Sequence, residues 1–315
     1  MSSESIRRGL AKRVRVLLYL TCAVSLLGWI PGEFVYFELS THFRPHYVAL
    51  LLGGCLWFCA LRQFRHALLL LLCLLPNAAS VLPLYLPEEP APGEGVTPLR
   101  LLLANVHSSN TQHERVLDLI RGADADVVIL LEVNARWLDA LQPIEADYPQ
   151  RLKDGREDNF GIALYSRLPF DDLELWLLGA ARVPTLVGTL LHAGEPVTII
   201  ATHPVPPIGS EMFDLRNEQL RSVAALAKSM PRCVVIGDLN TTPWSPFFGQ
   251  LERDSGLRNV RRGFGILATW PVGIGLLGIP LDHCLVSPSI HVADVRLGQE
   301  IGADHLPLLV DLHLP

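Results

Sequence analysis

Three long charge-free runs crowd the N-terminus and restrict this chain more than any other feature. Seventeen uncharged residues lie between Arg15 and Glu33, another 17 between Arg44 and Arg62, and 21 between His66 and Glu88. A helix that crosses a bilayer needs about 20 apolar residues, with a range of roughly 17–25. Spans are therefore expected at residues 15–31, 45–61 and 67–84, with Tyr19, Trp29, Tyr47 and Trp57 suited to the interfaces. The run Arg7-Arg8-Gly9-Leu10-Ala11-Lys12 resembles a twin-arginine export signal, but no small-residue cleavage site follows it. A cleaved signal peptide with a buried hairpin is the alternative, and it leaves two apolar runs without a role. Arg7, Arg8, Lys12, Arg13 and Arg15 precede the first run and place the N-terminus in the cytoplasm. Three crossings then put everything after Leu86 outside the cytoplasmic membrane, in the periplasm if the cell is bacterial.

Residues 1–86 thus read as a membrane region. Residues 87–98 hold four prolines, two glycines and three glutamates, and read as a linker. The character changes at residue 99. Leu99–Asn105, Val127–Val133, Phe160–Ser166, Leu186–Leu191, Val197–His203, Val234–Asp238, Leu281–Val286 and Leu306–Leu312 are strand-like runs bounded by Gly, Pro or Asn. Glu114–Arg121 and Arg216–Lys228 have helical spacing. Many strands with a few helices predict a layered α/β domain over 99–315. Of six cysteines, Cys22, Cys55, Cys59 and Cys73 fall in the apolar runs. Cys233 and Cys284 lie in strand-like runs and read as buried thiols rather than a bridge.

Polar residues gather at the strand ends. Asn105 and Glu132 close two runs, His203 a third, and Asp238 with Asn240 a fourth; Asp282 and His283 open one, and Asp304 with His305 precede the last. A carboxylate placed straight after Ile129-Leu130-Leu131 is costly unless it is paired or binds a cation. Each residue alone could be a turn former or a helix cap. Together they offer oxygen ligands suited to Mg²⁺ or Mn²⁺ and imidazoles suited to proton transfer.

The pattern resembles the endonuclease/exonuclease/phosphatase superfamily, in segments that come in the family's order. They are Leu103-Ala-Asn-Val, Val128-Ile-Leu-Leu-Glu-Val, Gly161-Ile-Ala-Leu-Tyr-Ser-Arg, Ala201-Thr-His, Ile236-Gly-Asp-Leu-Asn-Thr-Thr-Pro, Thr269-Trp-Pro, Leu281-Asp-His and Ala303-Asp-His-Leu-Pro-Leu. The N-terminal runs make the chain look like a membrane-anchored bacterial subset of it. The resemblance implies a two-sheet α/β sandwich, preceded here by three transmembrane helices, with the active site at one edge. It implies a metal held by Glu132, Asn105 and Asp304. Phosphate contacts fall to Asn105, His203 and Asn240, water orientation to Asp238 and Asn240, and a His305 imidazole is held by Asp282. His283 reads as structural support. His107 stands where many nucleases carry Asp, a departure that bears on the metal shell or the substrate. The implied chemistry is metal-assisted in-line attack of water on a phosphate ester, with either Asp238 or His305 taking the proton.

Several features are left to packing or to substrate. Gly273-Ile-Gly-Leu-Leu-Gly matches a dinucleotide fingerprint, but Pro271 and Pro280 bracket it and no helix follows. His113, Glu114 and Arg115 read as a solvated helix face, and Trp244, Phe247 and Phe248 as core. Residues 271–280 are uncharged, and their Ile274, Leu276, Leu277 and Ile279 either fold onto the core or face the membrane. Residues 91–315 carry 18 of the 26 basic and 27 of the 32 acidic side chains, a net charge of −9. That balance argues mildly against tight nucleic-acid binding. Nucleic acid, phospholipid and small phosphoesters all stay open as substrates. A catalytically silent membrane-anchored binding module is the reading from a different class. The bilayer is the expected partner through the N-terminal helices, and no protein partner is inferable.

Overall fold

The charge-free runs near the N-terminus fold as helices in the computed structural model, which describes residues 3–30, 34–86 and 98–314. In order they are α1 (Ser3–Leu27), α2 (Val35–Thr41), α3 (Arg44–Ala60) and α4 (Phe64–Val81). Leu18, Cys22, Leu51, Phe58, Leu70 and Cys73 form their buried core, while Leu17, Leu20, Leu56 and Leu72 are exposed. Among the described residues one helix, Phe64–Tyr85, is long and apolar enough to cross a membrane by length and composition, with 22 residues and a mean hydropathy of 2.2. The other two expected spans also lie on helices. However, α3 has 17 residues, and α1 carries Arg7, Arg8, Lys12, Arg13 and Arg15. The short α2 was hidden in the sequence because Glu38 interrupts an apolar stretch; its carboxylate is buried 3.2 Å from His42 Nε2. Apart from Pro98, the expected linker lies outside the described residues.

A second compact unit begins at Leu84 and contains both sheets. Its strands are β1 (Leu99–Asn105), β2 (Val127–Leu131), β3 (Gln150–Asp154), β4 (Ile162–Ser166), β5 (Phe170–Leu178) and β6 (Val183–His192). They continue with β7 (Glu195–Thr202), β8 (Cys233–Asp238), β9 (Arg258–Asn259), β10 (Asp282–Val286), β11 (His291–Leu297) and β12 (Leu308–His313). Helices α5 (His113–Ala123), α6 (Ala135–Ala140), α7 (Gly209–Lys228) and α8 (Pro246–Ser255) lie between them in sequence. One sheet runs β11-β12-β1-β2-β4-β3 and the other β5-β6-β7-β8-β10-β9. This is the expected two-sheet α/β sandwich.

Alternation along the strands explains the layers. Leu101, Leu103, Val127 and Ile129 share a core with Ile199, Ala201, Val234 and Ile236 of the other sheet. Their neighbours Leu102, Ala104, Val128 and Leu130 face the opposite way and pack with Val116 and Ile120 of α5 and Trp137 of α6. Strands buried on both faces read as continuous apolar runs, which is why β1, β2 and β8 are plain in the sequence.

The strand directions decide where chemistry can gather. β1 and β2 run parallel, with Asn105 opposite Leu131; β7 and β8 run parallel, with Ala201 opposite Ile236. The chain therefore leaves the carboxyl ends of both pairs at one edge of each sheet. β10 runs antiparallel to β8 and starts with Asp282 opposite Asp238. β12 runs antiparallel to β1 with Leu308 opposite Leu103, so residues just before β12 arrive at the Asn105 end. Cys233 and Cys284 are buried free thiols, and Phe247 and Phe248 are buried as core; Trp244, also buried, belongs to the first compact unit.

Candidate active site

Asn105 ends β1 almost wholly buried, and its Nδ2 donates to Glu132 Oε1 at 2.8 Å and reaches Asp238 Oδ2 at 3.4 Å. Its Oδ1 accepts from the His107 backbone N–H at 3.1 Å, which fixes which end of the amide faces the carboxylates. Glu132 follows β2 with a φ of 60°, an unfavourable conformation for a residue with a side chain. Backbone held this way is often found where function demands it. The second Glu132 oxygen is 3.4 Å from the Ser108 N–H.

Asp238 is the meeting point of the two sheets' polar edges. Its Oδ2 lies 3.6 Å from His203 Nε2 and 3.6 Å from His305 Nε2. On its other side, His305 Nδ1 is 2.8 Å from Asp282 Oδ2. Burial and the nearby Asp282 push the Asp238 carboxyl up to about 6, against the opposing pull of His305 and His203. Burial alone would lower His305, but Asp282, Asp238 and Asp304 outweigh it and raise the imidazole to about 10. Burial likewise works against Asp282, and His305, Thr269 and Arg261 overcome it and hold that carboxyl below its usual range. At neutral pH the site therefore holds an imidazolium between two carboxylates, one of which titrates near the working range of a general base.

Among the described residues, Asp238, Asp282 and His305 can each offer a ligand atom within 4.8 Å of the others, so the three form a group that could hold a metal ion. The short His305–Asp282 contact already contains a proton, which a cation there would have to displace. Glu132 and Asn105 stand beside this group. Asp304 is placed differently, accepting from Trp270 Nε1 at 3.1 Å and lying 3.9 Å from His107 Nδ1. The departure noticed at His107 thus brings an imidazole opposite Asp304.

Asn240 turns off β8 with a φ of 49°; its N–H donates to Asp238 Oδ1 at 2.9 Å and its Nδ2 to the Pro204 carbonyl at 2.9 Å. His283 does not face the site. Arg261 Nη1 donates to its Nδ1 at 3.2 Å, its Nε2 donates to the Thr241 carbonyl at 2.8 Å, and burial with the Arg261 charge pushes it down to about 3. It is neutral structural support, as its sequence context suggested.

Three supporting groups were not singled out from the sequence. Fully buried Arg216 on α7 donates from Nη1 to the Asn240 carbonyl at 2.7 Å. Thr269 Oγ1 accepts from the backbone N–H groups of Leu281 and Asp282 at 3.1 and 3.2 Å. Phe160 sets its ring 5.5 Å from that of His203. No local signal marks Arg216, which lies on a helix whose buried face includes Gln219, Leu220 and Val223.

Residues 102–305 match the model of the Endonuclease/Exonuclease/phosphatase family. Similar solved structures include D. rerio TDP2 complexed with single strand DNA product, at 16% identity and a TM-score of 0.58, covering 69% of this chain and 99% of that one. The human Nocturnin catalytic domain with bound sulfate anion is 19% identical with a TM-score of 0.57, over 69% of this chain and 95% of that one. An endonuclease/exonuclease/phosphatase from Bacteroides vulgatus is 18% identical with a TM-score of 0.57, over 70% of this chain and all of that one. At these identities the likeness is one of fold. A comparison with curated protein sequences found no match.

Proposed function

This chain belongs to the endonuclease/exonuclease/phosphatase family, whose members hydrolyse phosphoric esters, and from that premise we propose that it is a membrane-anchored, divalent-metal-dependent phosphodiesterase or phosphatase. The observation that carries the reading is the convergence of Asn105, Glu132, His203, Asp238, Asp282 and His305 at one edge of the sandwich.

The donor set fits a hard cation. Among the described residues Glu132, Asp238 and Asp282 form no ion pair with Lys or Arg; His203 and His305 flank Asp238, His305 pairs with Asp282, and Arg261 acts on Asp282 from farther away. Carboxylate and carboxamide oxygens suit Mg²⁺ or Mn²⁺. Glu132 would hold the ion. Asn105, whose Nδ2 donates to that carboxylate while its Oδ1 takes the His107 N–H, would orient Glu132 rather than ligate directly. Asp304, beside His107, is the further carboxylate expected to join. When bound, the ion neutralises phosphate oxygens and charge on the leaving oxygen. The protein's own groups do the rest. Asp238, with its carboxyl near 6, takes a proton from water as that water's oxygen bonds to phosphorus and the ester P–O bond breaks. His305, already protonated, remains a cation held by Asp282 and donates to the crowded phosphate oxygens, with His203 on the other side of Asp238. Asn240, fixed by Pro204 and Arg216, keeps Asp238 oriented.

Anchoring is supported by the Phe64–Tyr85 helix and by the exposed leucines on α1, α3 and α4. The basic residues before the first apolar run favour a cytoplasmic N-terminus and an extracytoplasmic catalytic unit, in the inner membrane if the cell is bacterial. A nuclease is the second reading, favoured by the fold shared with a structure bound to single strand DNA product and disfavoured by the net charge of −9 over residues 91–315.

Two experiments test this. The full chain, assayed with Mg²⁺ or Mn²⁺ against DNA, RNA, phospholipid and small phosphate esters, is expected to hydrolyse a phosphate ester and to lose that activity in chelator; full activity in chelator overturns the metal requirement. A C-terminal alkaline phosphatase fusion is expected to be active and a cytoplasmic fluorescent reporter dark. The reverse pattern overturns the topology.

A further inference from the structure

We propose that two apolar loops flanking the active site dock the catalytic unit onto a lipid bilayer, so that the phosphate ester it receives is presented at a membrane surface. This rests on the membrane-anchored phosphoesterase reading above.

The first loop joins Trp270 to Ile279, which pair as an isolated bridge and close its base. That base is tied to the site: Trp270 Nε1 donates to the Asp304 carboxylate, and the Val272 N–H donates to the Asp304 carbonyl at 2.9 Å. The tip points elsewhere. Leu276 is 99% exposed and Leu277 62%, with Ile274 exposed beside them, whereas Ile279 at the base is buried. Of the four apolar side chains that the sequence left between core and membrane, Leu276 is thus almost wholly in solvent and Leu277 and Ile274 are exposed. No charged residue occurs between Arg262 and Asp282.

The second loop follows His203. Its Pro204 carbonyl accepts from Asn240 Nδ2, which binds it to the site, and it carries Ile208, 78% exposed, with Met212 exposed on the first turns of α7. No Asp, Glu, Lys or Arg occurs between Glu195 and Glu211. His203, which precedes the second loop, and His305, next to the Asp304 that the first loop's base contacts, both lie 3.6 Å from Asp238, so both loops are tied to the same site. A polar, buried catalytic centre with exposed aliphatic tips on the loops tied to it is the layout of a surface that meets an amphiphile.

The chemistry of the tips selects the occupant. Stacking on nucleic-acid bases uses aromatic rings, and tracking a phosphate backbone uses Lys and Arg. These tips offer Ile, Leu and Met, and both loops lack cations. The net charge of −9 over residues 91–315 is also repelled by an anionic surface, so zwitterionic lipid is the surface that fits. A chain holding a 22-residue helix able to cross a bilayer would keep its catalytic unit tethered to one.

The test uses the full chain in nanodiscs of phosphatidylcholine and phosphatidylethanolamine. In Leu276→Trp, nitroxide carried on the upper acyl chain is expected to quench more fluorescence than in wild type; no excess quenching overturns the docking, even if phosphate esters are still hydrolysed. In Leu276→Ser/Leu277→Ser, hydrolysis of lipid in the disc is expected to fall at least tenfold. A soluble diester should be hydrolysed within twofold of wild type, at an unchanged melting temperature. Loss of both activities together with the melting temperature makes the loop structural and overturns the proposal. A selective loss of DNA cleavage, or of self-association in sedimentation, replaces the bilayer by a nucleic acid or a second copy. Excess quenching with no ester hydrolysed by wild type upholds the docking and overturns the enzymatic reading instead.

Discussion

Glu132→Gln and His305→Ala are each expected to lower turnover of a soluble phosphate ester by about 10²–10⁴-fold, the usual loss when an oriented catalytic group is removed. Glu132→Gln keeps the shape of the side chain and leaves an oxygen for Asn105 Nδ2, so it removes charge and little else. Its melting temperature should stay close to wild type. His305→Ala is harsher. It strips the buried Asp282 carboxylate of its 2.8 Å partner, and losing one member of such a pair costs about 3–5 kcal/mol. Turnover must therefore be read below the variant's own melting transition, with circular dichroism confirming the fold. Asp282→Asn/His305→Gln, which removes both charges, should recover most of the stability and none of the activity. Wild-type rates in both single variants would remove these residues from the chemistry.

Gly161→Ala should be among the most damaging single-methyl changes in the catalytic unit. A Cβ at this position would sit 1.7 Å from the Val133 carbonyl oxygen and 2.8 Å from the Arg156 nitrogen. Both are backbone atoms, so no rotamer change relieves the clash. The same spot carries two hydrogen bonds, Val133 N–H to the Gly161 carbonyl and Arg156 N–H to the Val133 carbonyl. Overpacking of this kind costs about 3 kcal/mol or more when the backbone must move. The displacement falls next to Glu132, so activity should drop along with stability. Gly122→Ala is the control: a Cβ there meets nothing within 4 Å on helix α5, and alanine should be neutral or stabilising by up to about 1 kcal/mol. Thermal and urea unfolding distinguish the two, and equal melting temperatures for Gly161→Ala and wild type would contradict the close approach.

What was legible in the sequence follows from burial. β1, β2 and β8 are covered on both faces, so they appear as unbroken apolar runs, and the polar residue that ends each run stands out as Asn105, Glu132 or Asp238. β3 and β5 escaped because they are largely open to solvent, and β11 because it is only half-buried; β5 carries Asp171, Asp172 and Glu174 and has no buried residue. α7 begins at Gly209, two turns before its periodic part, because its first residues are exposed on most sides. Pairings across the fold leave no local trace. Asp282 and His305 are 23 residues apart, and only the antiparallel register of β10 on β8 sets Asp282 across from Asp238. The Arg216 contact with Asn240 is hidden for the same reason, since an arginine on an amphipathic helix reads as solvated until the helix is docked. The exposure of Leu276 depends on how the Trp270–Ile279 bridge throws the tip outward, and an uncharged Gly-rich stretch fits a buried loop equally well.

A single displacement by water at phosphorus, with no covalent link to the protein, can be observed in the product. The full chain with Mn²⁺ hydrolyses a phosphate diester made chiral at phosphorus, in water enriched in heavy oxygen, and the configuration of the product is then determined. Asp238 holding the water opposite the leaving oxygen predicts heavy oxygen on phosphorus with inverted configuration. Retained configuration, which requires two displacements through a protein-bound phosphate, or heavy oxygen in the released alcohol would contradict it.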